Sequence, residues 1–169
     1  MKPLLTLLIM ALAIQSCQKH PEISSVSKVN WEKRFLEPSP KDSLIKGTTY
    51  LSVYSQIYSQ TQNRKHDLTA TVSLRNTNKK DTIYIRKAEY FDTDGKSLRT
   101  YFDKTIYIGP MGTVEIVIDE KDQSGGTGAN FLFEWMAKPS SNEPFFEAVM
   151  ISTSGQQGLS LSTEGKKLK

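Results

Sequence analysis

Apolar and polar residues alternate through much of the chain between residues 47 and 152. In residues 67–75, Leu68, Ala70, Val72 and Leu74 alternate with polar neighbours. A period of two places one face of a strand inward and the other in water. The same spacing recurs in three further sets, which are Val114, Ile116 and Ile118, then Phe131, Phe133 and Trp135, and finally Phe145, Val149 and Ile151. Each set predicts another strand with one inward face, and Trp135 is expected in the core.

Further strands are predicted where Tyr and β-branched residues are frequent. These segments are residues 49–58, 82–91, 96–102 and 105–108. Turn-forming residues separate them at 76–79, 92–95 and 109–112, and a longer loop is predicted at 123–130. Asp94-Gly95 is typical of a β-hairpin turn. Seven or eight short strands with no amphipathic helix predict an all-β protein, an antiparallel β-sandwich.

The N-terminus has the layout of a secretory signal. Lys2 is followed by an apolar run at residues 4–14, broken only by Thr6, which is shorter than the ~20 apolar residues of a membrane-spanning helix. Ile14-Gln15-Ser16-Cys17 resembles the lipobox of bacterial lipoproteins, whose cysteine is lipidated. The sequence therefore predicts a lipoprotein signal peptide at residues 1–16 and lipidation of Cys17. An ordinary signal peptide with a chance cysteine is the alternative.

The residues after Cys17 bear on the destination. Several acyl chains hold a protein stably on a bilayer, whereas a single chain does so only marginally. Gln18 stands where an Asp would resemble an inner-membrane retention signal, and no acidic cluster resembling a surface-export signal follows. We therefore expect a lipid anchor in the outer membrane, with the protein facing the periplasm.

Composition divides the mature chain into three parts. Residues 17–46 are polar and contain three prolines, which predicts a lipidated tether. Trp31, Phe35 and Leu36 lie within it, so part of the tether is expected to dock on the domain as a short helix or an edge strand. Residues 47–152 form the predicted β-sandwich domain, and the Ser/Gly/Gln-rich residues 153–169 a flexible polar tail.

The net charge of +4 over 169 residues is unevenly distributed. Residues 18–46 carry six basic and four acidic groups, residues 153–169 three and one, and residues 47–152 twelve and thirteen. The domain is nearly neutral and lacks the concentrated basic patch of a nucleic-acid-binding face. Basic flanks could contact anionic lipid headgroups, but a solvated tether and tail is the favoured interpretation.

Three stretches within the predicted strands carry a resemblance. They are Ser73-Leu74-Arg75-Asn76-Thr77, then residues 90–99 from Tyr90 to Arg99, and Gly125-Gly126-Thr127-Gly128-Ala129-Asn130-Phe131 continuing through Glu134-Trp135. Together they resemble an uncharacterised family of bacterial exported proteins, a domain of unknown function. The resemblance covers roughly residues 47–152 and implies an export-associated, immunoglobulin-like domain. It implies no catalytic residues.

Metal and catalytic chemistry find little support in the sequence. His20 and His66 are the only histidines and Cys17 is the sole cysteine, so a zinc site is not predicted. Counted from Asp92, the acidic residues do not fit an EF-hand loop. A Ser-His-Asp triad would have to use His66, and no Gly-x-Ser-x-Gly segment is present. We predict no metal, no cofactor and no enzymatic activity.

Two segments are candidate interaction sites. The loop around Gly125–Gly128 lacks the Lys and hydroxyl residue of a phosphate loop and is expected to be a mobile connection, yet a loop between strands is a natural binding site. Its polar candidates are Asp122, Gln123 and Asn130. Tyr50, Tyr54 and Tyr58 recur at even spacing, which would make one face of a strand suitable for sugar stacking or a partner strand. Packing of the tether or tail over these tyrosines is the favoured interpretation.

These observations lead to a functional hypothesis. The protein is predicted to be a non-enzymatic, membrane-anchored lipoprotein that acts as an interaction or accessory module in the bacterial cell envelope, with an envelope protein as its partner. The alternative is a β-sandwich that binds a small ligand or a glycan through the loop or the tyrosine face.

Overall fold

The structure, a computed structural model, describes residues 29–39, 43–153 and 158–168. The predicted signal peptide, Cys17 and the start of the tether lie outside the described residues. Within the described ranges, no helix is both long enough and apolar enough to cross a membrane.

The described chain is all-β, which confirms the predicted fold class, but it has more strands than expected. Two short 3-10 helices, Trp31–Arg34 and Gln123–Gly125, accompany twelve strands. The strands are β1 (Ile45–Ser52), β2 (Gln56–Ser59), β3 (Thr61–Asp67), β4 (Thr69–Arg75), β5 (Ile83–Phe91), β6 (Ser97–Phe102), β7 (Ile106–Ile108), β8 (Thr113–Ile118), β9 (Asn130–Ala137), β10 (Phe145–Ser152), β11 (Leu159–Glu164) and β12 (Lys166–Lys167).

The strands form two antiparallel sheets and a separate hairpin. The large sheet has the order β12-β1-β9-β5-β6, with β7 also paired to β5. The small sheet has the order β11-β10-β4-β8, and β2 pairs with β3 to form the hairpin. Buried side chains from both sheets make one core, as in a β-sandwich.

Aromatic rings connect the two halves of the core. Tyr90 and Phe131 are stacked with ring centroids 4.8 Å apart, and Phe131 and Phe133 are 5.3 Å apart. Phe133 of the large sheet also stacks on Phe146 of the small sheet at 4.3 Å. The core is therefore continuous between the sheets, and Trp135 is buried in it as predicted.

Inward faces agree with the sequence pattern in β4, β8 and β9 but not in β10. Phe145, Val149 and Ile151 were expected to face the core, but Val149 and Ile151 are each 43% exposed. Their neighbours Phe146, Ala148 and Met150 are buried instead. Both faces of β10 carry alternating apolar residues. The large apolar residues at the outward positions therefore led to the wrong prediction of the core face.

The segment predicted as one strand over residues 49–58 is interrupted. β1 ends at Ser52 and β2 begins at Gln56. Between them, Val53 donates its N–H to the carbonyl of Ala129 and Ser55 donates its N–H to the carbonyl of Gly126. The chain leaves the large sheet here because it is held by the loop before β9.

The C-terminal residues are structured where a flexible tail was expected. β11 pairs with β10 in the small sheet, and β12 pairs with β1 in the large sheet. At Gly165, between them, a Cβ atom would lie 2.7 Å from the Thr49 methyl group. The last strands therefore cross from one sheet to the other and close one side of the sandwich.

Part of the tether docks on the domain, as the sequence suggested. The Trp31 ring lies 4.9 Å from that of Phe102, and Phe35 forms a single β-bridge with Ile106. The N–H of Leu36 donates to the carbonyl of Thr105 at 3.0 Å. This segment therefore covers the edge of the large sheet beside β7.

Candidate functional site

Asp122 is a structural residue of the loop rather than a free ligand. It is 5% exposed, and its carboxylate accepts a hydrogen bond from Arg99 at 2.9 Å and from the N–H of Ser124 at 3.3 Å. The second bond caps the 3-10 helix Gln123–Gly125. The ion pair and the cap use this carboxylate within the protein.

The glycines of the predicted mobile loop are fixed by close packing. A Cβ atom at Gly125 would lie 1.9 Å from the Tyr90 hydroxyl, and Gly126 has a φ of 71°, which a residue with a Cβ rarely adopts. Thr93 donates from its hydroxyl to the carbonyl of Gly125 at 3.1 Å and accepts from the N–H of Gly128 at 2.9 Å. The N–H of Gly126 donates to the carbonyl of Gln123 at 3.1 Å, so the N–H groups of Gly126 and Gly128 are both used within the protein.

Tyr90 stands behind this loop in the core. Its hydroxyl is buried and has no hydrogen-bond partner of good geometry among the described residues, although the Ser55 hydroxyl, which donates to Gly126, belongs to the same environment. Burial raises the pKa of Tyr90 to about 12, so the hydroxyl remains protonated at neutral pH.

Gln123 joins the loop to the hairpin. Its side-chain amide donates to Asp67 at 2.9 Å, and Gln56 donates to the other oxygen of the same carboxylate at 2.7 Å. Asp67 is the last residue of β3, and His66 precedes it opposite Ile57. Gln123 therefore positions the hairpin, while Asn130, the first residue of β9, pairs with Ser52 and Phe91 in the large sheet.

The three candidate tyrosines do not form a single face. Tyr50 lies in β1, Tyr54 lies between strands and packs against the core, and Tyr58 lies in β2 with 57% of its surface exposed. The Lys65 ammonium lies 5.5 Å from the Tyr58 ring centroid. Their even spacing predicted a shared face only if residues 49–58 formed one continuous strand. Because β1 ends at Ser52, the three tyrosines lie on separate elements.

Sequence reasoning missed an apolar patch on the outer face of the small sheet. It consists of Val117, Val149, Ile151, Thr69 and Thr71. Thr71 pairs with both Val117 and Val149, and Thr69 pairs with Ile151, so the five side chains lie on adjacent positions of one surface. The alternation of Val149 and Ile151 in β10 was the signal for this patch, but it predicted that these residues face the core.

Acidic residues border this apolar patch at both ends. Across the sheet, Glu115, Glu147 and Glu164 fall in one row with Ser73, and Arg75 bonds only Glu147 among these three, at 2.6 Å. At the other end lies an open depression of about 590 Å³, lined by Asp67, Thr69, Val117, Asp119, Glu120, Lys121 and Gln123. No group of three metal-ligating side chains is found in the described ranges.

The stretches that carry the family resemblance have structural roles in this fold. Asn76 donates to the carbonyls of Asp81, Ile108 and Gly109 at 2.8–3.0 Å. Asp92 accepts from the N–H groups of Asp94 and Lys96 in the turn after β5. Together with the packing of Tyr90 on Gly125, these contacts connect the ends of several strands.

Comparison with known proteins confirms the resemblance to a domain of unknown function. The model of a family described as "Protein of unknown function (DUF3124)" matches residues 46–168. A solved structure described as the crystal structure of Thermotoga maritima 1070 aligns over 71% of this chain and 92% of its own, with 10% sequence identity and a TM-score of 0.45. No curated protein matches the chain. The family match extends through β11 and β12, consistent with their place in the sheets.

Proposed function

The chain belongs to the family described as Protein of unknown function (DUF3124), and from that premise we propose that it is an exported, lipid-anchored interaction module of the bacterial cell envelope. It is a non-enzymatic protein held in the outer membrane, facing the periplasm. The Gly125–Trp135 stretch serves as a sequence signature of the family, because its glycines admit Tyr90 and Thr93.

Export and anchoring are supported by the N-terminal sequence. A short apolar run ends at Ile14, and Ser16 directly precedes the only cysteine of the chain. Lipidation of Cys17 would hold the domain at the bilayer without a membrane-spanning segment. A protein held in this way is well suited to act by contact with other envelope components.

The observation that carries the proposal is the apolar patch on the small sheet. Val117 is 39% exposed and Val149 and Ile151 are each 43% exposed, although all three are aliphatic. They lie on β8 and β10, the two strands that flank β4, and Thr71 of β4 lies between Val117 and Val149. Single exposed aliphatic residues are ordinary, but a contiguous group on a flat sheet is typical of a protein interface.

Charge defines the kind of partner that fits this patch. The surrounding glutamates and the depression beside Val117 give the patch an acidic border. Complementary interfaces bring opposite charges together around an apolar centre. The expected partner is an envelope protein with an apolar surface bordered by lysine or arginine.

The ligand-binding alternative has weaker geometric support. Internal hydrogen bonds and an ion pair engage Asp122, Gln123 and the N–H groups of Gly126 and Gly128. The tyrosines that were to stack on a glycan lie on separate elements. A flat apolar surface favours a protein partner over a small molecule, which usually binds in a concave pocket.

The test is crosslinking in intact cells of the native host, followed by affinity recovery and mass spectrometry. We expect a reproducible envelope protein that is lost when Val149→Lys places a charge in the apolar patch. The matched control is Met111→Lys, because Met111 is 66% exposed on the turn before β8 and lies outside the patch.

Two results would contradict this proposal. Recovery of the same partner from both variants would show that the apolar patch is not the docking surface. Absence of any partner above background would favour the ligand-binding alternative and direct attention to the depression beside Val117.

A further inference from the structure

The outer face of the large sheet has a different composition from that of the small sheet. Among the described residues of its strands, this face presents Lys46, Arg86, Lys87 and Lys166 with two acidic residues, Glu89 and Glu134. Lys87 bonds Glu89, and Arg86 lies 3.7 Å from Glu134. Both carboxylates thus have basic partners on the same surface, which we call the basic face, and an excess of positive charge remains.

Amphipathic and apolar side chains fill the middle of the basic face. Tyr50 pairs with Leu132, Tyr84 pairs with Met136, and Phe91 pairs with Asn130, all on the outward side. Tyr50, Tyr84, Phe91 and Leu132 are half-buried, not fully covered. Tyrosine places an apolar ring beside a polar hydroxyl and suits the boundary between lipid and water.

We infer that the basic face lies against an anionic phospholipid surface. Lysine and arginine next to a membrane are attracted to anionic headgroups, and aromatic rings insert at the headgroup level. The inference rests on the lipid anchor of the proposed function, since the anchor keeps the domain near a bilayer.

The connection to the anchor is long enough to allow this placement. Thirteen residues lie between Cys17 and Trp31, so the distance between these two positions is at most about 50 Å when the chain is fully extended. The docked segment that begins at Trp31 runs along the edge of the large sheet, where Phe35 bridges Ile106. The anchor therefore connects to the sheet that carries the basic face.

Charge also determines which of the two sheets turns toward the lipid. The small sheet carries Glu115 and Glu164 on its outer surface, and an anionic bilayer would repel them. With the basic face on the lipid, the apolar patch points away from the membrane. The same orientation thus leaves the patch accessible to a protein partner.

The experiment uses the full lipidated chain purified from membranes of the native host. The protein is reconstituted into vesicles of phosphatidylcholine with phosphatidylglycerol, or of phosphatidylcholine alone, and treated briefly with a water-soluble amine-acylating reagent. Mass spectrometry then measures acylation at each lysine. Neither lipid has a primary amine, so neither competes for the reagent.

We expect Lys46 and Lys166 to react about fivefold more slowly on the anionic vesicles than on the neutral ones. High salt should remove this protection because the attraction is electrostatic. Lys121, which lines the depression beside the small sheet, should react at the same rate on both vesicles.

A matched pair of variants tests whether the charges of the basic face are responsible. Lys46→Glu should abolish the protection of Lys166. Lys79→Glu makes the same change in net charge on the exposed loop between β4 and β5 and should leave that protection intact. Equal effects of the two substitutions would show that overall charge, not this surface, is involved.

Failure of the inference and failure of the anchor give different results. If the protein does not float with neutral vesicles, the anchor is wrong. If it floats with both kinds of vesicle while Lys46, Lys166 and Lys121 react alike on both, the anchor stands and the inference is overturned. The basic face would then be open to a protein rather than to lipid.

Discussion

Arg99 organises the loop end of the sandwich through several contacts of one side chain. Its guanidinium donates to Asp122 at 2.9 Å and to the Tyr101 hydroxyl at 3.1 Å. It also lies 5.9 Å from the centre of the Tyr90 ring, within the range of a cation–π contact. Removing its partner carboxylate would leave a partly buried cation without its ion pair, which is costly.

At the residue scale, Asp122→Asn should therefore destabilise the fold. We expect a loss of about 2 kcal/mol in the free energy of unfolding, less than for a fully buried pair, because Arg99 retains some contact with water. Urea denaturation measures the loss. Asp94→Asn, in the exposed turn after β5, is the control, and equal stability of the two variants would show that Asp122 is not a structural residue.

The buried hydroxyl of Tyr90 should make the free energy of unfolding fall at alkaline pH. Burial raises its pKa to about 12, whereas an unfolded tyrosine titrates near 10. Proton release therefore favours the unfolded chain as the pH rises from 10 to 12. The contribution of Tyr90 to the free energy of unfolding is fully present below pH 10. It falls by about 3 kcal/mol between pH 10 and pH 12.

Tyr90→Phe should flatten this part of the curve of unfolding free energy against pH. At pH 7 the change should be nearly neutral, because the hydroxyl makes no hydrogen bond of good geometry. Tyr58→Phe is the control, since Tyr58 is 57% exposed. An unchanged slope in Tyr90→Phe would mean that another group causes the alkaline loss.

At the scale of elements, the loop before β9 and the C-terminal strands connect parts that are distant in sequence. The loop contacts the turn after β5 and the segment between β1 and β2. β11 and β12 each extend a different sheet. These elements stabilise the sandwich through long-range contacts. Single substitutions within them therefore test their contribution to the fold.

Gly125→Ala should disrupt the loop, because the new methyl group would overlap the Tyr90 hydroxyl and approach Ala129. We expect a loss of about 1–3 kcal/mol, typical of overpacking, measured by thermal or urea unfolding. Gly109→Ala is the matched control, since a Cβ at Gly109 has no atom within 4 Å. Similar losses in both variants would contradict the close packing of the loop.

Neighbouring lysines test the position of β12. The Lys167 ammonium lies 5.3 Å from the centre of the Trp135 ring and bonds Glu143, while Lys166 pairs with Tyr50 on the opposite side. In a Trp31→Phe background, Lys167→Ala should make Trp135 fluorescence more accessible to acrylamide. Lys166→Ala should not, and equal quenching in the two variants would argue against this position of β12.

At the scale of the whole molecule, the two outer faces differ in charge. The basic face has more basic than acidic side chains, and the apolar patch has an acidic border. The net charge of +4 conceals this difference. A protein with two such faces can contact an anionic surface with one and a basic partner with the other.

The Cys17→Ser variant tests the anchor on which this arrangement depends. Without the thiol no lipid can be attached, so we expect an unprocessed precursor and no lipidated form. Metabolic labelling with a fatty acid and the mass of the mature chain provide the measurement. Normal processing and membrane retention of the variant would refute the lipoprotein assignment.

Strand periodicity was predictable from sequence because burial repeats every second residue. Leu68, Ala70, Val72 and Leu74 are all fully buried, as the pattern indicated. The same rule failed in β10, where both alternating sets contain apolar residues. Only contact with β4 and the opposing sheet determines that Phe146, not Phe145, turns inward.

Short edge strands were not predictable in the same way. β11 and β12 are largely exposed, so burial leaves no clear pattern in their Ser, Thr and Lys residues. Their structure comes from backbone pairing with strands far away in the sequence, which composition does not reveal. The same limitation led to the prediction of one strand across the break between β1 and β2.

By itself, then, the sequence determined the all-β class, most inward faces and the resemblance to a family of unknown function, because these depend on local periodicity and on recognisable stretches. The tertiary structure decided which polar candidates are used internally, where the aliphatic side chains of β10 point, and how charge separates between the two faces. Those properties depend on which strands become neighbours, and that is determined by the packing of the whole core.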